Sequence, residues 1–355
     1  MEKHVAVALS GGLDSAVAAA LLKKGNHQVI ALHFRTGYES PPGGTDSSDQ
    51  LSPLDSRAER VAEQIGIPLE VIDCSEAFEN EVVRYFVDAY RSGQTPNPCV
   101  VCNQRIKFGF ILEEAKARGA SVLATGHYAR IRREENGRFY LIKGVDREKD
   151  QSYFLARLAQ EQLGQAVFPL GTYTKKQVRE MAGSFGLTSF REEESQELCF
   201  VGEPNYKEFL SKYAGLPNKP GVIVNRTGDT LGRHNGLHAY TIGQRKGINI
   251  PGPAPYYVLR LDQEENQLVI GSKSELAATE CLVTQINWIG AKPPDKPILV
   301  KTRIRYRHQE VDSTLTPLDG DSATVHFSEP QYAITPGQAA VFYEGERVLG
   351  GGWIE

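Results

Sequence analysis

Apolar residues in the first half of the chain come in short runs separated by amphipathic stretches. "HVAVAL", from His4, is almost continuously apolar and predicts a buried strand. Asp14 to Lys24 carries a long alanine-rich face and predicts a helix. "QVIALHF" predicts a second strand, "SPLDSRAERVAEQIGI" a helix opened by Ser and Asp, "PLEVIDC" a third strand and "ASVLATGHY" a fourth. Strands alternating with helices need crossover connections, so the expectation is an α/β unit with a parallel sheet covered on both faces. Thr36 to Ser56, "TGYESPPGGTDSSDQLSPLDS", has no periodicity and reads as a mobile loop inserted after the second strand. After about Pro204 the texture changes to short strands punctuated by Gly and Pro, as in "GVIVNRTGDTLGRHNGLHAYTIGQRKGINIPGP", and it stays so to the end. The pattern predicts three domains. An α/β domain covers residues 1–203, a central β-rich domain 204–277, and a C-terminal, barrel-like β-rich domain 278–355. No repeat of fixed period appears.

Composition sharpens this only in places. With 355 residues, 40% hydrophobic and 24% charged, the chain is too long for one ordinary core and has the make-up of a water-soluble protein. No apolar run has the length of a membrane span, and "MEKHVAVALSGG" lacks the features of a signal peptide. The expected location is the cytoplasm, with no membrane partner. The formal net charge of −4 does not announce a nucleic-acid binder, but binding depends on where positive charge lies. Five cysteines, Cys74, Cys99, Cys102, Cys199 and Cys281, are an odd and scattered set. They predict reduced, reactive or metal-bound thiols rather than a disulfide framework. Cys74 and Cys281 sit in strand-like surroundings and read as small core residues.

The sharpest local signal is Ser10-Gly11-Gly12-Leu13-Asp14-Ser15, placed where a strand turns straight into a helix. Glycines let the backbone approach a phosphate, and the amides of the turn and helix start then point at the anion. Ser10 and Ser15 add hydroxyls. Asp14 beside a phosphate is repulsive unless a cation intervenes, which makes it a candidate magnesium ligand. The stretch is neither a Walker A loop nor a G-x-G-x-x-G dinucleotide loop. A bare strand-to-helix turn is the plainer alternative.

S-G-G-x-D-S after a first strand resembles the signature of the PP-loop ATP pyrophosphatases, the adenine nucleotide alpha-hydrolase-like fold. Within that superfamily "TPNPCVVCNQRIKFG", "LATGHYAR", "KDQSYFL", "ESQELCFV", "GLHAYTIGQRKGI", "RIRYRH" and "ITPGQAAVFY" resemble segments of the tRNA-specific 2-thiouridylases, and they span all three expected domains. The resemblance implies conversion of a wobble uridine of tRNA to 2-thiouridine. ATP, with Mg2+, adenylates the C2 oxygen, and a sulfur nucleophile displaces AMP. It implies ATP contacts at Ala8, Leu9, Ser10, Gly11, Gly12, Leu13, Asp14, Ser15, Phe34 and Gly126. It also implies a sulfur donor, either a persulfide carrier protein or inorganic sulfide.

Cys102 and Cys199 match the family's two catalytic cysteines. Cys102 stands ahead of the helix pattern "NQRIKFGFILEEAKARG" with Arg105 and Lys107 close in sequence, so its thiol is expected to ionise easily. By resemblance, Cys199 carries a persulfide, and Cys102 frees the sulfur as a disulfide forms. The family usually has an aspartate where this chain has Cys99. The trio Cys99, Cys102 and Cys199 instead resembles that of related thiolases holding a four-iron–four-sulfur cluster, whose open iron would bind the attacking sulfide. An idle Cys99 beside a two-cysteine relay stays equally open. A zinc site lacks a fourth ligand, and a thioredoxin-like pair lacks its strand–helix context.

Positive charge concentrates in "VKTRIRYRH". On a strand, Lys301, Arg303, Arg305 and Arg307 would share one face, which suits a phosphate backbone. "ARIRREENGRFYLIKGVDREKDQ" is mixed in charge and a weaker signal. The resemblance assigns tRNA contacts to Lys149, Asp150, Gln151, His127, Arg305, Tyr306 and Gln338, and puts Asn97, Pro98 and Cys99 beside the target base. Two other classes compete. One is a PP-loop ATP-dependent amide or C–N ligase acting on a small metabolite, which needs neither the cysteine trio nor the cationic strand. The other is an RNA-binding protein with a decayed nucleotide site, against which the intact Ser10–Ser15 loop argues.

Overall fold

Strand and helix patterns alternating in the first half close into one parallel sheet. The computed structural model describes residues 4–39, 53–187, 198–201, 206–213, 215, 218–290 and 292–355. The central part of the expected loop, residues 40–52, lies outside these, as do residues 194–197 and 202–204 of "ESQELCFVGEP". Strands β1 (His4–Ala8), β2 (Gln28–Arg35), β3 (Leu69–Asp73) and β4 (Val122–Ala124) form this sheet together with a short β7 (Ala166–Val167). Their order is β3-β2-β1-β4-β7, and every pairing is parallel. The order reverses between β1 and β4. In open α/β sheets such a switch point opens a crevice beyond the strands' C-terminal ends.

Alternation along β1 explains the layering. Val5, Val7 and Leu9 enter a core with helices Leu13–Lys24, Pro53–Ile65 and Lys175–Ser184. Ala6 and Ala8 face the opposite core, built on Phe78, Val82, Phe86, Val100, Ile106 and Ile111. That second core is not confined to the α/β unit, because Ala339, Val341, Tyr343 and Val348 from the chain's end join it.

Two β-rich units follow. Strands β8 (Gly221–Val224), β9 (Thr230–His234), β10 (Tyr257–Asp262) and β11 (Gln267–Gly271) pair in the order β10-β11-β8-β9 around a small core of Ile223, Val258, Leu268 and Ile270. Strands β12 (Ala277–Trp288), β13 (Ile298–Arg303), β14 (Val311–Pro317), β15 (Ala323–Tyr332), β16 (Ala339–Glu344) and β17 (Arg347–Ile354) close on themselves through a β12–β17 pairing. β12 changes partner along its length, pairing β15 first and β17 later, with a break in register where Gln285 has φ +51°. A bulge of this kind turns a strand around a barrel corner.

The sequence pattern did not indicate one feature. Strands β5 (Ala129–Arg133) and β6 (Phe139–Lys143) form a hairpin that leaves the α/β unit and adds to the barrel's sheet beside β17. Its mixed charges are spent on the barrel. Arg130 and Arg147 both pair with Glu346, and buried Lys143 pairs with Glu310 at 2.6 Å. Cys281 lies in the barrel core, as expected of a small apolar residue.

Candidate functional site

The phosphate-loop segment stands at the switch point. Gly11 has φ +73°, a conformation that favours glycine. Gly12 caps the helix Leu13–Lys24 with no side-chain hydrogen bond. The serines brace the turn from within. Ser15 Oγ donates to the Gly12 carbonyl at 2.9 Å, and the hydroxyls of Ser10 and Ser15 lie 3.2 Å apart. The helix start therefore keeps its amides and its positive dipole end for an anion.

Gly126, just past β4, closes the other side of the crevice. A Cβ there would lie 2.9 Å from the carbonyl carbon of Asp14 and 3.0 Å from the nitrogen of Ser15, so only glycine allows this approach. Phe34 stands two residues past the last β1–β2 pair, Ala8 with Leu32, and is half-buried beside the crevice. Ala8 and Leu9 are core residues. Leu9 is fully buried and its carbonyl accepts a bond from His33 Nδ1 at 2.8 Å, so these two support the loop from behind.

Asp14 has a partner that the sequence did not suggest. Its Oδ1 accepts from Lys175 Nζ at 2.6 Å and from the Tyr128 hydroxyl at 2.8 Å. Lys175 opens the helix Lys175–Ser184, where Thr174 supplies a capping box with Gln177. The charge beside the loop is thus balanced by a lysine 161 residues away. Both bonds fall on Oδ1, so a magnesium ion at Asp14 would be held through Oδ2.

The thiol segment corrects a second expectation. Its helix starts at Pro98, in the first helical position, with Asn97 as cap. Cys99 therefore sits in the first turn and Cys102 one turn later on the same face. A wider π-helical stretch, Asn103–Ile111, follows, and Gln162 Nε2 bonds the carbonyls of Gln104 and Phe108 within it, each at 2.8 Å. Easy ionisation is not what this position provides. Burial pushes Cys99 up to about 11 and Cys102 up to about 12, and it also raises Cys199. Lys107 pulls all three down, but desolvation outweighs it.

Cys199 keeps the most solvent contact of the three, and the adjoining Phe200 is locked edge-on against Phe78, Phe86 and Phe209. Negative charge on Cys199 raises both Cys99 and Cys102, which puts the three thiols within electrostatic reach of each other. Buried Cys74, whose Sγ donates to the Arg35 carbonyl, borders the same group. Among the described residues, however, no three His, Cys, Asp or Glu side chains are gathered as a metal site. A cluster held by Cys99, Cys102 and Cys199 does not fit this arrangement.

The expected RNA contacts divide. β13 ends at Arg303, and residues 304–307 form a turn, so the four cations do not share a strand face. Lys301 pairs with Asp312. Arg303 is buried and donates to Asp150 Oδ2 at 3.0 Å and to the carbonyls of Tyr306 and His308. Asp150, with a side chain 2% exposed, also accepts from Gly144, from the Ser152 amide and from the Ser152 hydroxyl. It is a structural anchor and has no lone pair to spare for RNA.

Gln151 exchanges bonds with the Tyr128 backbone. His127 is buried against Phe168, bonded to Thr125 at 2.7 Å, and held well below the usual imidazole range by burial, so it is neutral. Arg305 and Arg307 remain exposed, and Lys149 is half-buried. Tyr306 packs on Phe154, with ring centroids 4.4 Å apart, and Phe154 O accepts from Asn103, the residue after Cys102. The cationic turn therefore leads directly to the thiol helix. Gln338 reaches the same helix from its other side, with its amide on the backbone of Thr95 and Pro96 just ahead of the cap.

Sequence comparisons divide the chain in three. Residues 3–203 match the family model described as tRNA methyl transferase HUP domain, 207–272 the tRNA methyl transferase PRC-barrel domain, and 278–354 the aminomethyltransferase beta-barrel domain. The tRNA-specific 2-thiouridylase MnmA of Geobacter metallireducens is 47% identical over 359 residues, covering 99% of this chain and 97% of the relative. The protein of the same name from Syntrophotalea carbinolica is 46% identical over 352 residues, covering 99% and 98%.

Proposed function

The chain belongs to the tRNA-specific 2-thiouridylase family, and from that premise we propose how its residues divide the work. The enzyme uses ATP and a tRNA uridine, and its product is 2-thiouridine. The Ser10–Ser15 loop, with Gly126 and Phe34 beside it, binds ATP. The helix start and the loop amides hold the phosphates, and AMP is transferred to the C2 oxygen of the wobble uridine with release of pyrophosphate. An amide-like oxygen is a poor leaving group, and the phosphoanhydride turns it into a good one. Magnesium would neutralise the phosphates, and Asp14 would hold it through Oδ2 while Lys175 stays on Oδ1.

Sulfur then arrives as a persulfide on Cys199, the most solvent-accessible of the three thiols. The terminal sulfur attacks C2 and AMP leaves, which joins C2 to Cys199 through a disulfide. Cys102 attacks the Cys199 sulfur. The C2–sulfur fragment departs with the electron pair as 2-thiouridine, and Cys102 and Cys199 are left as a disulfide for an external dithiol to reduce. A persulfide carrier reloads the reduced Cys199 by passing on its outer sulfur and keeping a thiol. Inorganic sulfide reloads it by attacking the Cys102–Cys199 disulfide in place of the dithiol, which leaves a persulfide on Cys199 and a thiol on Cys102. Free thiols of this kind suit a reducing compartment, and we assign the enzyme to the cytoplasm on that ground. Among the described residues no helix is long and apolar enough to cross a membrane. Arg305, Arg307 and Lys149 meet the tRNA backbone, and Tyr306 and Asn97 border the target base.

The observation that carries this reading is the pairing of an uncapped anion loop with a thiol helix that packs on the same sheet. Single-turnover reactions with labelled ATP, tRNA and protein preloaded with persulfide by a persulfide donor test it. Wild-type protein is expected to release AMP and form 2-thiouridine in equal amounts, and Cys102→Ser to bind ATP normally without forming 2-thiouridine. Thiolation by Cys102→Ser would remove the relay.

A further inference from the structure

The loop that delivers the thiol helix is not held by its own domain. "TPNP" contains two prolines, which donate no backbone bond, and the carbonyls of Thr95 and Pro96 therefore need donors from elsewhere. The barrel supplies them. Gln338 Nε2 donates to Thr95 O at 2.9 Å and to Pro96 O at 3.1 Å, and the Thr95 amide donates back to Pro336 O at 2.9 Å.

The barrel side of this joint is rigid. Gln338 stands just ahead of β16, its amide donating to Thr335 O to close a turn and its carbonyl accepting from the Ile354 amide, so only its side chain reaches across. Gly337 has φ +87°, and a Cβ there would lie 2.9 Å from Gln94 Cβ and 3.0 Å from Thr95 O. Two further contacts brace the helix cap. The Asn97 amide donates to the Tyr85 hydroxyl at 3.4 Å, and the Tyr85 ring lies 5.8 Å from that of Trp353 in the barrel. Tyr153 donates to Ala339 O at 2.9 Å.

We infer that Gln338 is a positioning residue for the thiol centre. The barrel fixes where Cys99 and Cys102 enter the site, and tRNA docking and sulfur transfer share that joint. Gln338 acts through residues 95–97 and touches no reacting atom. Its amide nitrogen serves two carbonyls of that loop. The inference rests on the proposed role of Cys102.

The test uses the full chain. Gln338→Met keeps the length and loses the donor, and Gln338→Glu sets a carboxylate against two carbonyls. In tRNA thiolation assays, kcat is expected to fall about tenfold or more, because small misplacements of reacting groups are costly. The KM for tRNA and the Kd for ATP should stay within about twofold, the margin of an interaction made outside substrate binding. Iodoacetamide labelling of Cys99 and Cys102, read by mass spectrometry, should become faster. A raised KM with unchanged kcat would make Gln338 an RNA contact and overturn the inference, as would unchanged kcat and labelling. If the Gln338 variants do not fold, Gly337→Ala presses on the same loop and is held to the same split between kcat and KM. Cys102→Ser is assayed alongside. Activity in that variant would remove the role of Cys102, while faster labelling of Cys99 in Gln338→Met would still report on the joint.

Discussion

The phosphate loop and the thiol loop are both short, glycine- or proline-marked segments leading into helices, yet they are held in different ways. The phosphate loop is largely self-made. Its glycine conformation, its two serines and the uncapped helix all fall within six residues. The thiol loop is assembled from outside. Its carbonyls are bonded by Gln338, its π-helical carbonyls by Gln162, and its third thiol comes from residue 199. An anion site needs backbone geometry, which local sequence can specify. A sulfur relay needs two thiols from distant segments to meet at one substrate atom, which only tertiary packing can specify.

The exception on the phosphate side gives the largest expected effect. Lys175 is the charged distant group that meets the loop, through its 2.6 Å bond to Asp14. Lys175→Met would leave Asp14 facing the phosphates with only Tyr128 as partner. ATP-dependent AMP formation is expected to fall by about two orders of magnitude, in line with losing an electrostatic stabiliser in a desolvated site. tRNA binding, read by filter retention, should not change. Unaltered AMP formation would make the loop fully self-contained and widen the contrast between the two regions.

An effect on stability and RNA binding, with little on AMP formation, separates structural from RNA-facing charge. Arg303 is buried on Asp150, so Arg303→Ala strands a buried carboxylate and is expected to cost about 3–5 kcal/mol of stability, seen as a lower denaturation midpoint. Arg305 is exposed at the turn. Arg305→Ala should leave stability alone and lower the salt-dependence slope of tRNA binding by about one unit. If Arg303→Ala were stable and shifted the slope instead, the strand-face reading would return.

What the sequence disclosed follows the same division. Parallel strands, the loop and its glycines were legible because each depends on residues close in the chain. The start of the thiol helix was legible in hindsight, since Pro98 after Asn97 is a helix-start signal. The stronger apolar pattern after Cys102 masks it. The raised thiols were not legible, because Arg105 and Lys107 are visible in sequence and burial is not. Nor were Lys175, the Asp150–Arg303 pair or the hairpin Ala129–Lys143 joined to the barrel, since each is a contact across more than a hundred residues. Gln162 carried no signal at all.

The central claim is that sulfur moves through two thiols, Cys199 and Cys102, with Cys99 outside the relay. Cys99→Asp, prepared anaerobically beside the wild type, tests it most directly, with tRNA thiolation and iron measured on the same samples. The account predicts an active Cys99→Asp protein and no stoichiometric iron in either sample. Wild-type protein holding about four iron atoms per chain, with iron and thiolation lost together in Cys99→Asp, would contradict it and assign all three cysteines to a cluster.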